Sequence, residues 1–68
     1  MNVFERLYVS EINFQISTFY DAGYEVKLGD EMNGFKAETQ VSTWKEVETW
    51  LDTESRRHFP KSVYALSD

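Results

Sequence analysis

Apolar and polar positions alternate along "EINFQISTFY", residues 11–20. Ile12, Phe14, Ile16 and Tyr20 fall on one side, with Thr18 in the gap. Asn13, Gln15 and Ser17 fall on the other, which is polar except for Phe19. A period of two carried by β-branched and aromatic residues predicts a half-buried strand. "DAG", residues 21–23, then suits a three-residue loop, a type I turn whose final Gly makes a bulge. "YEVKL" alternates again and turns Tyr24, Val26 and Leu28 inward. Pairing Tyr20 with Tyr24 sets Thr18 opposite Val26 and Ile16 opposite Leu28, so the apolar sets meet on one face.

"GDEMNG", residues 29–34, is the second turn, and Asn33-Gly34 is its strongest signal, because a type I′ turn needs positive φ at both central residues. Beyond it, "FKAETQV" puts Phe35, Ala37, Thr39 and Val41 on one face. A tight turn pairs Glu31 with Lys36, and a four-residue loop pairs Lys27 with Glu38. A six-residue loop sets Lys27 against Lys36 and Glu25 against Glu38, which like-charge repulsion disfavours. The apolar faces stay together in all three, so parity leaves the turn length open.

The period then changes. In "VSTWKEVETWL", Trp44, Val47 and Leu51 form a stripe at i, i+3 and i+7, and Trp50 borders it. Thr43 and Glu46 have the spacing of a capping box, with Ser42 as an alternative cap. Glu46 and Glu48 near the start and Arg56 and Arg57 near the end complement the helix dipole. Asp52 and Arg56 make an i,i+4 pair. Pro60 stops the helix and drives Phe59 extended, which predicts a helix over 43–57. Trp44 is expected in the core and Trp50 on the flank, shared with the surface. "NVFERLY" reads as a short N-terminal helix capped by Asn2, or else as an extension of the first strand. "KSVYALS", residues 61–67, reads as a short C-terminal edge strand or a docked tail.

The expected fold class is α+β, with residues 1–68 in a single small domain. A three-stranded antiparallel β-meander carries one C-terminal helix packed on one face, a two-layer arrangement that covers one apolar sheet face. Sixty-eight residues bury only roughly 60% of the unfolded surface, and without cysteine no disulfide can reinforce the chain. Packing, aided by an aromatic content of 16%, must hold it, with self-association as a further staple.

Gly34-Phe35, Thr43, Glu46-Val47 and Leu51 mark a hairpin, a third strand and a capped helix in an order that resembles the HicB-type antitoxin core. The resemblance covers residues 12 to about 57. It implies a partial RNase-H-like fold that blocks a small RNA-cleaving toxin, often as an oligomer. The helix–three strands–helix order is also similar to a double-stranded RNA-binding domain. That family meets phosphates with lysines at the start of its second helix, where this chain has Lys45 followed by Glu46 and Glu48, so RNA binding is set aside.

The formal net charge of −5 disfavours general binding to nucleic acid or to anionic membranes. Residues 1–55 hold 4 basic and 11 acidic groups, and residues 56–68 hold 3 basic and 1 acidic. No apolar run nears the roughly 20 residues of a membrane span, and "MNVFERLYVSEINF" lacks the pattern of a secretory signal. Cytoplasmic residence is therefore expected. "GDEMNG" lacks the ligand spacing of a calcium loop, so a solvated turn is the better reading of Asp30 and Glu31. His58 has no nucleophile or paired acid at a motif spacing, and the helix end accounts for it. No cofactor and no metal are expected.

The expectation is a non-enzymatic protein–protein interaction module, antitoxin-like or regulatory, whose partner is another protein or a second copy. Candidate contacts are Phe19, Lys27 and Lys36 on the open sheet face, Trp50 on the helix flank, and the Arg56, Arg57 and Lys61 cluster. An edge strand is a further route to a partner. The alternative is an acidic inhibitor, of the kind phages and mobile elements carry, that imitates nucleic acid with Glu46, Glu48, Asp52, Glu54, Glu25, Asp30, Glu31 and Glu38. A small enzyme or ligand-binding domain is the remaining class, and it lacks a motif.

Overall fold

The computed structural model describes residues 2–66. Helix α1 spans Val3–Val9, strands β1, β2 and β3 span Phe14–Phe19, Gly23–Asp30 and Gly34–Val41, and helices α2 and α3 span Trp44–His58 and Val63–Leu66. The strands form one antiparallel meander in the order β1-β2-β3. All three helices lie on the same side of it. Val26 and Leu28 of β2 meet Val47 and Leu51 of α2, and Leu7, Ile12 and Tyr64 complete the buried cluster. The result is the expected α+β fold, with a short helix at each end.

Local chemistry starts each helix. Asn2 caps α1 by accepting from the Glu5 N–H at 2.9 Å. Thr43 and Glu46 form both halves of a capping box, with Thr43 Oγ1 accepting from the Glu46 N–H at 3.2 Å and Glu46 Oε1 accepting from the Thr43 N–H at 3.1 Å. Helix α1 ends where Glu11 takes a left-handed φ of 61° and the Ile12 N–H reaches back to the Leu7 carbonyl at 3.0 Å. That turn drops the chain from the helical layer into β1.

The first hairpin is displaced by two residues from the expected register. Phe14 faces Leu28, Ile16 faces Val26, and Phe19 rather than Tyr20 closes the ladder, opposite Gly23. The reason is Gly23. Its φ is +84°, and a Cβ there would stand 2.3 Å from the Val41 carbonyl oxygen. The glycine is needed inside the sheet, where β3 crosses closely, so the turn moves back to Tyr20–Ala22. The Ala22 N–H closes it on the Phe19 carbonyl at 3.1 Å, and Tyr20 stands fully in solvent instead of facing the core. A shift of two preserves which face each side chain takes, so the core survives the change.

The second hairpin keeps the four-residue register as far as Leu28, with Lys27 opposite Glu38. A bulge between Leu28 and Gly29 then pairs Gly29 with Phe35 and shortens the loop to residues 31–33. Gly29 sits at φ +110° and Gly34 at +86°, whereas Asn33 does not take positive φ, so the turn is not the type I′ form. Asp30 holds it instead, accepting from the Asn33 N–H at 2.7 Å. The bulge also turns Phe35 away from Ala37, Thr39 and Val41, and its ring lies 5.2 Å from the Lys27 ammonium on the outer face.

One further expectation fails, and one open alternative is decided. Trp44 is 45% exposed, because the first residue of α2 overhangs the end of the layer. It stacks with Phe4 at 4.9 Å and Tyr24 at 5.6 Å. Of the two readings of the C-terminal stretch, the docked tail holds and the edge strand does not: it forms the one-turn helix α3, and Ser67 lies outside the described residues. Ser62 caps that turn and Tyr64 plunges into the core, which the i,i+3 spacing of Val63 and Leu66 conceals.

Ser55, fully buried on α2, has a side-chain oxygen with no hydrogen-bond partner. Ser55→Ala removes that desolvated hydroxyl and improves helix propensity, and should stabilise the fold by about 0.5–1 kcal/mol in urea unfolding. Thr43→Ala breaks the capping box and should destabilise it by about 1 kcal/mol. A destabilising Ser55→Ala would show that the hydroxyl is bonded in solution.

Candidate interaction surface

The basic cluster at the end of α2 is largely committed to the fold. Arg56 Nε donates to Asp52 Oδ1 at 3.1 Å, and the Tyr64 hydroxyl donates to the same oxygen at 2.7 Å. Arg6 donates to the Tyr64 carbonyl at 3.2 Å, and its guanidinium carbon lies 4.3 Å from the Tyr64 ring centre, with that of Arg56 at 5.4 Å. One tyrosine thus joins α1, α2 and α3. Arg57 is exposed, 3.8 Å from Glu54, which also meets His58 at 3.3 Å. Lys61 is exposed in the turn before α3.

Proton affinities follow from these contacts. Burial pushes the Tyr64 hydroxyl up to about 12, with the Asp52 hydrogen bond and charge adding to the shift. Burial also raises the Asp52 carboxyl, but the Tyr64 and Arg56 hydrogen bonds and the Arg56 and Arg6 charges outweigh it and leave it below 3.8. Asp30 is lowered too, by the Asn33 N–H and then by the Asn13 and Asn33 side chains. Among the described residues no three His, Asp or Glu side chains gather in a way that would hold a metal ion.

The other expected contact residues lie apart. Phe19, Lys27 and Lys36 are on or beside the outer sheet face, where Gln15, Lys27 and Glu38 form one cross-strand row and Ser17, Glu25 and Gln40 another. Lys27 stands opposite Glu38 in the register, and its ammonium lies 5.2 Å from the centre of the Phe35 ring. Trp50 is half-buried and borders a shallow apolar recess with Val41 and Thr53 on the flank of α2. Three separate surfaces therefore share the seven residues.

A fourth surface gathers apolar side chains and backbone groups at the β1 edge. Phe14, Phe4, Trp44 and Tyr24 form a row of ring contacts, with Phe4 and Phe14 5.9 Å apart. Tyr8 and Val9, 81% and 58% exposed, extend it and line a concavity with Phe4 and Phe14. The Gly29 N–H donates to the Asn13 carbonyl at 2.7 Å. Antiparallel bonding alternates, so residues 15, 17 and 19 bond inward to β2, and the N–H and C=O of Phe14, Ile16 and Thr18 point outward. Two sequence signals mark this surface. Phe4 and Tyr8 stand at i and i+4 beside the buried Leu7, and "FQISTF" contains neither charge nor proline.

The Tyr64 contact yields a pH prediction. Unfolded tyrosine ionises near 10 and folded Tyr64 near 12, so the folded state holds the extra proton in that window. Stability is then full below 10 and falls as pH rises towards 12. Tyr64→Phe should lose about 1.5 kcal/mol at neutral pH and show a shallower alkaline decline in urea titrations. An unchanged decline would remove Tyr64 as its source. On the acid side, the stability from Asp52 and Asp30 is present above 3.8 and lost as pH falls through their lowered values.

No helix of the described residues is long and apolar enough to cross a membrane. Compared with known protein families, curated proteins and solved structures, the chain matches none.

Proposed function

We propose that this protein is a non-enzymatic protein–protein interaction module that accepts an extended protein segment along the β1 edge. Its role is regulatory, in the antitoxin manner of acting by occupying another protein. The observation that carries this reading is the coincidence of two features at one place. Phe14, Ile16 and Thr18 present outward backbone groups, and Phe4, Tyr8 and Val9 form an apolar shelf next to them. Backbone bonds supply affinity in strand addition, and alternate side chains resting on the shelf supply selectivity.

The acidic-mimic reading draws less support. Asp52 pairs with Arg56 and Glu54 lies 3.8 Å from Arg57, which reduces the net charge left for a basic groove. The opposite edge, β3, carries Lys36 and Glu38, and charge of that kind discourages a new strand.

Short displayed peptides selected on the wild type test the reading. Enriched sequences should alternate apolar and polar residues, and should lose binding to Thr18→Pro. Proline there deletes an outward N–H while leaving the β2 ladder intact. Peptides that bind both proteins equally would place the docking surface elsewhere and overturn the proposal.

A further inference from the structure

We infer that the strand which adds to β1 is the β1 of a second copy, so that the protein assembles as a twofold dimer with a continuous six-stranded sheet. The inference rests on the strand-addition reading above and specifies its occupant.

The first ground is self-complementarity. An added antiparallel strand must place its own outward residues opposite Phe14, Ile16 and Thr18. β1 has outward groups at those same positions, so the longest register sets Ile16 against its twin and Phe14 against the partner copy's Thr18. In this register every outward N–H and C=O of the three residues finds a partner. The twofold axis runs perpendicular to the sheet, midway between the two Ile16 residues. Both helical layers then lie on one side, and the two α1 helices flank the seam.

Charge is the second ground. Each copy carries −5, so two copies can meet closely only where the surface is neutral. The whole of β1, "FQISTF", is uncharged. Along the chain the nearest acids, Glu11 and Asp21, lie beyond its ends, and Glu5 of α1 lines the concavity beside it from an exposed position, where solvent and salt screen its charge. Monomeric proteins protect an edge strand with lysine, proline or a bulge, and β1 has none of these.

Area is the third. A stable dimer buries at least about 1,200 Å² in total, or about 600 Å² from each copy. That is about one eighth of this chain's 4796 Å² surface. Tyr8, 81% exposed, offers on the order of 150 Å², and Val9, the exposed Gln15, Ser17, Thr18 and Phe19, and the strand backbone add to it.

Sedimentation equilibrium across micromolar to millimolar protein tests the inference, together with amide exchange of the wild type. The wild type should approach twice its 8.0 kDa mass, and the Phe14, Ile16 and Thr18 amides should gain protection as concentration rises. Thr18→Pro should weaken the dimer by roughly a hundredfold, through lost ladder bonds at both ends of the seam. If the wild type stays monomeric while Thr18→Pro-sensitive peptides still bind, the self-pairing inference falls and the strand-addition reading stands. A monomer that selects no such peptide overturns both. A dimer whose Phe14, Ile16 and Thr18 amides stay unprotected is joined through another face, and that also overturns the inference. This exchange result does not depend on whether the proline variant folds.

Discussion

The Tyr64 hydroxyl rests on Asp52 at 2.7 Å, and the ring below it fills the space where three helices meet. Helix α3 has four residues, too few to persist on intrinsic helical propensity. It is held because Tyr64 is anchored at both its hydroxyl and its carbonyl, the latter by Arg6. The contact acts in both directions. Tyr64 seals the core against α2, and the two arginines beside it keep Asp52 ionised in a half-buried place. In a chain with no disulfide this contact ties both termini to the central helix.

The sheet depends on a different constraint, close passage of backbone against backbone. Gly23 lies against the Val41 carbonyl, and Gly29 against that of Gly34. At both positions a side chain would collide and the φ is positive, so the sheet bends there. The bend at Gly29 has a side effect, since it places Phe35 on the outer face beside Lys27. The two sheet edges differ as a result of sequence. β3 carries charge, and Gln40 reaches from it to the Ala22 carbonyl, whereas β1 is neutral and lies beside an aromatic shelf.

The local sequence by itself determined the start of α2, the three strands, the inward faces of β1 and β2, and the two-layer arrangement, and it offered Asn2 as the cap of a first helix. These follow from capping chemistry and side-chain period, which act within a few residues and so can be read along the chain. The Asp52–Arg56 pair and the end of α2 before Pro60 belong to the same class. The neutrality of β1 and the i,i+4 pair Phe4 and Tyr8 were also present in the sequence, but their meaning required knowing which strand lay at the edge.

Only the tertiary structure decided the hairpin registers, the outward turn of Phe35, the exposure of Trp44 and the burial of Tyr64. Period two is blind to a shift of two residues, and a bulge changes parity without altering composition. Trp44 was misplaced and Tyr64 passed over because their burial depends on which distant element covers them. The overhanging first turn of α2 leaves Trp44 at the rim, while Arg6, Asp52 and Arg56 converge from separate helices to receive Tyr64. Contacts between residues far apart in the chain are fixed by packing, and neither spacing nor propensity encodes them.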